Sequence, residues 1–241
     1  MIDLAIDTLH LDGGSAQKLA GRLMWATQHL FHRLGRAMIK AIFGQKASAT
    51  GVVGPRLEVA LRWWRRVIAW GVSETRKWGQ SRLSTCFLFV DAASTPARCA
   101  AVLMKDGVVS YTDSPPRQDW MRQLARRGDN QILSLEILAI MVALSTFGDD
   151  LSGRNVVLYS DNVGAECATR KGDAKAFDHN QLVHEIWTHA LLMKFSLWIE
   201  RVPSKENISD SPSRFDYELL HDLGAKWRKP VLAEVYLGTP H

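Results

Sequence analysis

The feature that most constrains the fold is a change of hydrophobic periodicity near residue 84. Before it, apolar residues recur at helical spacing; after it, short apolar runs alternate with longer periodic segments. The run CFLFVDAAS predicts a first strand that ends at Asp91, and CAAVLMKDGVVSYTDSPP predicts two more around the turn signal Asp106-Gly107. Three strands joined by short turns predict a meander at the start of a sheet.

The chain then alternates helices with two further strands. NQILSLEILAIMVALSTFG and DHNQLVHEIWTHALLMKF have the length and periodicity of helices. NVVLYSD predicts a fourth strand followed by a short helix over 163–169, and SLWIERVP predicts a fifth strand. The order β-β-β-α-β-α-α-β indicates an α/β fold with a mixed five-stranded sheet flanked by helices.

The charge is distributed unevenly between the two regions. Residues 1–82 carry 13 Lys or Arg against 5 Asp or Glu, a net charge of +8, whereas residues 83–241 carry 17 against 20, a net charge of −3. This favours polyanion binding by the first region and chemistry in the second, although solvated helix faces can also segregate charge by chance. We expect a basic helical segment over 1–80, an α/β domain over 81–222 and a tail over 223–241.

Tryptophan and arginine alternate in the second helical stretch of the basic segment. Trp63, Trp64 and Trp70 interleave with three arginines in PRLEVALRWWRRVIAWGVSE. Such residues suit base stacking and phosphate contact. Tryptophans at helical spacing also suit a helix core, so both interpretations stay open.

The composition indicates an intracellular protein, cytoplasmic or nuclear, without a membrane partner. The longest apolar run of the central helix, Ile137 to Leu144, is too short to span a bilayer, and the N-terminus resembles no signal peptide. Three isolated cysteines suit a reducing compartment.

Four carboxylates follow the predicted elements in a regular way. Asp91 and Asp161 end the first and fourth strands, Glu136 lies inside the apolar helix, and Asp210 follows the fifth strand. The aspartates can be read as caps or turn residues. Glu136 is harder to explain structurally, because a carboxylate among apolar residues costs stability unless it is paired or binds metal.

If these carboxylates converge on one edge of the sheet, their repulsion calls for a divalent cation. Oxygen-only ligands favour Mg²⁺ or Mn²⁺ over zinc. Two such ions about 4 Å apart can activate water and stabilise the leaving oxygen of a phosphodiester.

The constellation resembles the ribonuclease H fold, in which Asp, Glu, Asp and Asp follow in this order on these elements. Asp91 in FVDAAS, Glu136 in LSLEILAI, Asp161 in LYSDN and Asp210 in ISDSPSR match it, over roughly residues 84 to 215. The tail RVPSKENISDSPSR is similar to the end of the ribonuclease H domain in retroelement reverse transcriptases. KLAGRLMWATQHLFHRLGR resembles the helical connection before that domain in Gypsy-like or DIRS-like elements.

The resemblance implies two-metal hydrolysis of the RNA strand of an RNA–DNA hybrid, and two Mg²⁺ or Mn²⁺ ions as cofactors. Asp91 and Asp161 would then bridge or flank the ions, Glu136 would hold the ion nearer the leaving group, and Asp210 the one that positions the attacking water. The implied substrate contacts are Ser94, Asn162, Asn207 and Arg214. The implied partners are the hybrid and a polymerase domain upstream in the same polyprotein. The loop RVPSKEN lacks the His that many ribonucleases H carry there, which implies slower turnover.

Other interpretations fit less well. Tyr159-Ser160-Asp161-Asn162 lacks the second carboxylate of a polymerase motif, and HEIWTH has a spacing of five rather than the four of a zinc protease, so its histidines are read as packing or surface residues. An exonuclease would need a Glu two residues after Asp91, and an integrase would need its Glu later than Glu136. The remaining alternative is a catalytically inactive module that keeps the fold and binds nucleic acid.

Overall fold

A computed structural model describes residues 1–29, 34–71, 83–124 and 131–232. The chain divides into two compact units, Met1–Gln80 and Ser81–His241. Each unit has a separate set of elements, and each is described by itself below.

The described residues of the first unit are mostly helical, with an isolated antiparallel bridge between His10 and Val52. Its helices are α1 (Ile2–Thr8), α2 (Gly13–His29), α3 (Arg36–Gly44) and α4 (Pro55–Ala69), with a 3₁₀ turn at Gln45–Ala47. Pro55 occupies the first turn of α4, where its missing N–H costs nothing. The core interpretation holds for Trp63 and Trp64, which are buried edge to face with their ring centroids 5.0 Å apart, whereas Trp70 is 60% exposed.

Gly35 shows why the turn before α3 needs glycine. Its φ is +82°, and a Cβ there would lie 2.5 Å from the Trp64 ring. Any side chain at this position would displace the buried tryptophans of the unit.

The second unit is built on a mixed six-stranded sheet. Its strands are β1 (Thr85–Ser94), β2 (Ala97–Lys105), β3 (Val108–Ser114), β4 (Asn155–Ser160), β5 (Ser196–Arg201) and β6 (Lys226–Trp227). Their order in the sheet is β5-β4-β1-β2-β3-β6. The first three strands are antiparallel neighbours, whereas β4 pairs parallel with β1 and β5, and β6 pairs parallel with β3.

The predicted α/β class with a mixed sheet and flanking helices is confirmed, but the sheet has six strands rather than five. The additional strand, β6, consists of two exposed residues within the segment predicted as a tail. A strand this short and exposed leaves no alternation of apolar and polar residues in the sequence. Only its pairing with Ser110 and Tyr111 of β3 reveals it.

The helices of the second unit are α5 (Gln118–Leu124), α6 (Ile132–Leu151), α7 (Val163–Lys171), α8 (Phe177–Leu192), α9 (Asp210–Ser213) and α10 (Glu218–Asp222). Helix α6 packs on β1, β2 and α8. By length and composition α6 could cross a membrane, but 72% of its most apolar stretch is buried inside the unit. It is therefore the core helix of the α/β unit.

The other face of the meander is covered by the C-terminal segment. Cys99 of β2 points towards α6, with its Sγ 3.6 Å from the Leu135 carbonyl oxygen. Val102 points the opposite way and packs with Tyr111, Tyr217 and Leu220. The segment that follows β5 therefore closes a second, smaller core on the β1–β3 half of the sheet.

Candidate metal centre

Three of the four predicted carboxylates meet at one point of the second unit. Asp91, Glu136 and Asp161 each place one carboxylate oxygen so that these atoms lie within 4.8 Å of one another. They come from β1, from α6 and from the residue directly after β4. Two of them, Asp91 and Glu136, are each only 4% exposed.

The parallel pairing of β1 and β4 explains why the two aspartates meet. Phe89 is the register partner of Tyr159, and their rings stack with centroids 4.8 Å apart. Asp91 and Asp161 each lie two residues further along, so both carboxylates lie at the same edge. The predicted strand end at Asp91 is wrong, because β1 continues to Ser94 through its pairing with β2.

Glu136 is held among buried residues of α6, beside the other two carboxylates. Its Oε2 has no hydrogen-bond partner among the described residues. Burial, and then the charges of Asp91 and Asp161, raise the pKa of Glu136 to about 9, against a hydrogen bond from the Ala92 backbone. Without a cation, this side chain holds a proton at neutral pH.

Asp91 is perturbed in the same direction. Burial raises the pKa of Asp91 to about 6; the Ser213 hydroxyl opposes this shift, and the charge of Asp161 adds to it. Its Oδ2 is also buried without a hydrogen-bond partner in the described part of the chain. Two unpartnered buried oxygens beside a third carboxylate form a donor set that fits a hard divalent cation.

Asp210 lies beside this group but outside it. It is the first residue of α9, and its Oδ1 accepts a hydrogen bond of 2.8 Å from Arg214 Nε. Its charge still contributes to the raised pKa of Asp91 and of Glu136. The structure thus brings three predicted ligands together and leaves the fourth nearby in an ion pair.

The four predicted substrate contacts lie in different environments. Ser94 is the exposed last residue of β1, and Arg214 has a side chain that is 67% exposed. Asn162 is the N-cap of α7, where its Oδ1 accepts a hydrogen bond of 3.0 Å from the Ala165 N–H. Their contact with a substrate stays a prediction.

Asn207 has a structural position that its sequence context does not reveal. It is 4% exposed; its Nδ2 donates to the Val90 carbonyl at 3.0 Å, and its Oδ1 accepts from Ser209 Oγ at 2.6 Å. The bond to Val90 joins residues 117 positions apart. It ties the loop that carries Asp210 to the strand that carries Asp91, and a substrate could reach this amide only by breaking these bonds.

Solved structures similar to this chain include two ribonuclease H domains. RNase H1 from the archaeon Halobacterium salinarum is 19% identical, with a TM-score of 0.39, and the match covers 57% of this chain and 98% of that chain. The N-terminal RNase H domain of a Mycobacterium tuberculosis protein, solved as a fusion with maltose-binding protein, is 15% identical, with a TM-score of 0.35 and coverages of 58% and 96%.

A third similar structure is a foamy viral protease–reverse transcriptase in complex with double-stranded DNA. It is 13% identical, with a TM-score of 0.26, and the match covers 80% of this chain and 35% of that chain. No family model and no curated protein matches the sequence. Two of these three structural neighbours are thus RNase H domains, and the third contains a reverse transcriptase.

Proposed function

We propose that the second unit is a metal-dependent endonuclease of ribonuclease H type, which hydrolyses the RNA strand of RNA–DNA hybrids. The observation that carries the proposal is the meeting of Asp91, Glu136 and Asp161 within 4.8 Å. Three clustered carboxylates do not stabilise the fold by themselves, since like charges repel. Two of their oxygens are buried without hydrogen bonds, which is a cost that a cation offsets.

The three clustered residues would hold the cation, with Asp210 as a fourth ligand close by. We propose Mg²⁺ or Mn²⁺, because the donor set consists only of carboxylate oxygens. The number of ions, two, rests on the resemblance to ribonuclease H. A divalent cation there supplies Lewis-acid chemistry that offsets the negative charge developing on a phosphodiester. Of the chain's own groups, Glu136 must lose a proton before it can serve as a ligand at neutral pH, and Asp91 must do so only below about pH 6.

Arg214 is suited to receive the phosphate. Its ion pair with Asp210 lies at 2.8 Å, and the two side chains are 67% and 35% exposed. Exposed pairs of this kind contribute little stability, so the guanidinium can exchange its carboxylate partner for a phosphate at small cost. Such an exchange would also free Asp210 for a cation.

The choice of an RNA–DNA hybrid rests on the order of the four carboxylates, which resembles the ribonuclease H fold. It also rests on the tail that carries Asp210, which resembles the end of the ribonuclease H domain in retroelement reverse transcriptases. The net charge of +8 over residues 1–82 supports a polyanionic partner. We propose a Gypsy-like or DIRS-like reverse transcriptase as the parent protein, with a polymerase domain upstream, because KLAGRLMWATQHLFHRLGR resembles the helical connection of such elements.

The proposal is tested by cleavage of a labelled RNA–DNA hybrid with Mg²⁺ or Mn²⁺, beside duplex DNA and duplex RNA. The Asp91→Asn variant should lose cleavage. The matched control is Asp149→Asn, which removes the same charge from an exposed position near the end of α6. Hybrid binding without cleavage in either metal would contradict the nuclease proposal and favour the inactive binding module.

A further inference from the structure

The ring of Phe215 is 51% exposed. Phe215 directly follows Arg214, whose guanidinium bonds to Asp210. The ring stacks on the guanidinium group of a second arginine, Arg98, whose Cζ lies 4.0 Å from the ring centroid. One face of the ring is thus supported by protein.

The register of β1 and β2 places this ring relative to the carboxylates. Arg98 is the cross-strand partner of Ala93, which lies two residues beyond Asp91 on β1. Cross-strand partners and residues two apart share one face of a sheet, so Arg98 stands on the face of Asp91, about 7 Å further along. This distance corresponds to roughly two base steps of a nucleic-acid strand.

The Arg98 guanidinium below the Phe215 ring is held in place by several polar contacts. Arg98 forms an ion pair with Asp113, a buried carboxylate of β3. Asp113 also accepts hydrogen bonds from Tyr217 Oη at 3.1 Å and from Trp227 Nε1 at 3.2 Å. Arg98 therefore has a fixed position, and the ring above it has a rigid support.

The backbone of Phe215 adds an independent observation. Its φ is +65°, in the left-handed region that bulky residues rarely adopt. Glycine or asparagine would fit the C-terminal side of α9 with less strain. Phe215 is strained, exposed and adjacent in sequence to Arg214, the ion-pair partner of Asp210, which makes it a candidate for substrate contact.

We propose that Phe215 forms a nucleotide-stacking subsite, with the exposed face of its ring packed on a base close to the scissile phosphate. This inference rests on the proposed nuclease function. Stacking on an aromatic ring tolerates any base, because every base has a π-face. The subsite would position the strand without selecting its sequence.

The test compares full-length variants in two assays. Binding of a fluorescein-labelled RNA–DNA hybrid is measured by anisotropy in Ca²⁺, and kcat and KM are measured in Mg²⁺. Phe215→Ala should bind about ten-fold more weakly and raise KM with little change in kcat, because stacking contributes uniform binding. Phe215→Tyr, which keeps the ring, should retain the affinity.

Two further variants separate stacking from folding. Phe215→Gly relieves the backbone strain, so its melting temperature should equal or exceed that of Phe215→Ala while its affinity is equally low. Leu219→Ala, a matched control, removes another exposed apolar side chain from the same segment and should bind normally.

Wild-type affinity and KM in Phe215→Ala would overturn the stacking subsite while leaving the nuclease proposal standing. An equal loss in Leu219→Ala would also overturn it. Failure of the wild-type chain both to bind and to cleave the hybrid would overturn the two proposals together.

Discussion

Mg²⁺ and a proton should compete for the Glu136 carboxylate. In the metal-free fold the pKa of Glu136 is raised to about 9 from 4.5. Removing that proton at pH 7 therefore costs about 3 kcal/mol, at about 1.4 kcal/mol for each pKa unit. Because a ligand carboxylate must be ionised, the affinity for Mg²⁺ should rise about ten-fold for each pH unit between about 6 and 9.

The sign of the stability change follows from the same shift. The unfolded chain releases the proton of Glu136 near pH 4.5, whereas the metal-free fold keeps it up to about pH 9. Glu136 alone should thus lower stability in EDTA by about 1.4 kcal/mol for each pH unit between those values, and Asp91 adds to this slope below about pH 6. In saturating Mg²⁺ the fold holds no such proton, so this slope should vanish.

The assay is thermal unfolding in EDTA and in Mg²⁺ at pH 6, 7 and 8. The difference in Tm between the two conditions should grow by roughly 3–6 °C for each pH unit, since 1 kcal/mol corresponds to about 2–4 °C in a domain of this size. Glu136→Gln should lose both the slope in EDTA and most of the gain from Mg²⁺.

Glu185→Gln is the matched control. Burial raises the pKa of Glu185 as well, but this residue lies on α8 outside the carboxylate cluster. Its replacement should leave the gain from Mg²⁺, and the growth of that gain with pH, intact. A difference in Tm that does not change between pH 6 and 8, or a full Mg²⁺ gain in Glu136→Gln, would refute the assignment of Glu136 as a ligand.

Three further predictions address the site, its support and the basic unit. Asp161→Asn should abolish cleavage but leave hybrid binding equal or tighter, because it removes a ligand and a negative charge; cleavage at the wild-type rate would contradict this. Asn207→Ala should lower the free energy of unfolding by about 1–3 kcal/mol in a denaturant titration, since the Val90 carbonyl loses a buried donor; an unchanged midpoint would show that this bond is dispensable. Replacing the exposed Arg65 and Arg66 of α4 together by Ala should reduce the slope of log K against log salt by up to about 2 for hybrid binding; an equal slope would place the nucleic acid elsewhere.

Local patterns were enough to predict the elements that frame the site. The five longer strands and the helix α6 follow directly from apolar runs and their period, because burial on one face or on all sides leaves that pattern in the chain. Glu136 stood out for the same reason: a carboxylate inside an apolar helix needs a partner. The sequence by itself therefore determined the α/β class and pointed to the acidic residues.

Only the tertiary structure decided the features that depend on contacts between residues distant in the sequence. The pairing of β1 with β2 carries the strand past Asp91, and the bond between Asn207 and Val90 fixes the loop before Asp210. The stacking of Phe215 on Arg98 joins two segments more than a hundred residues apart in the chain. No local period records such contacts, since each depends on a register or a hydrogen bond that exists only after the chain has folded.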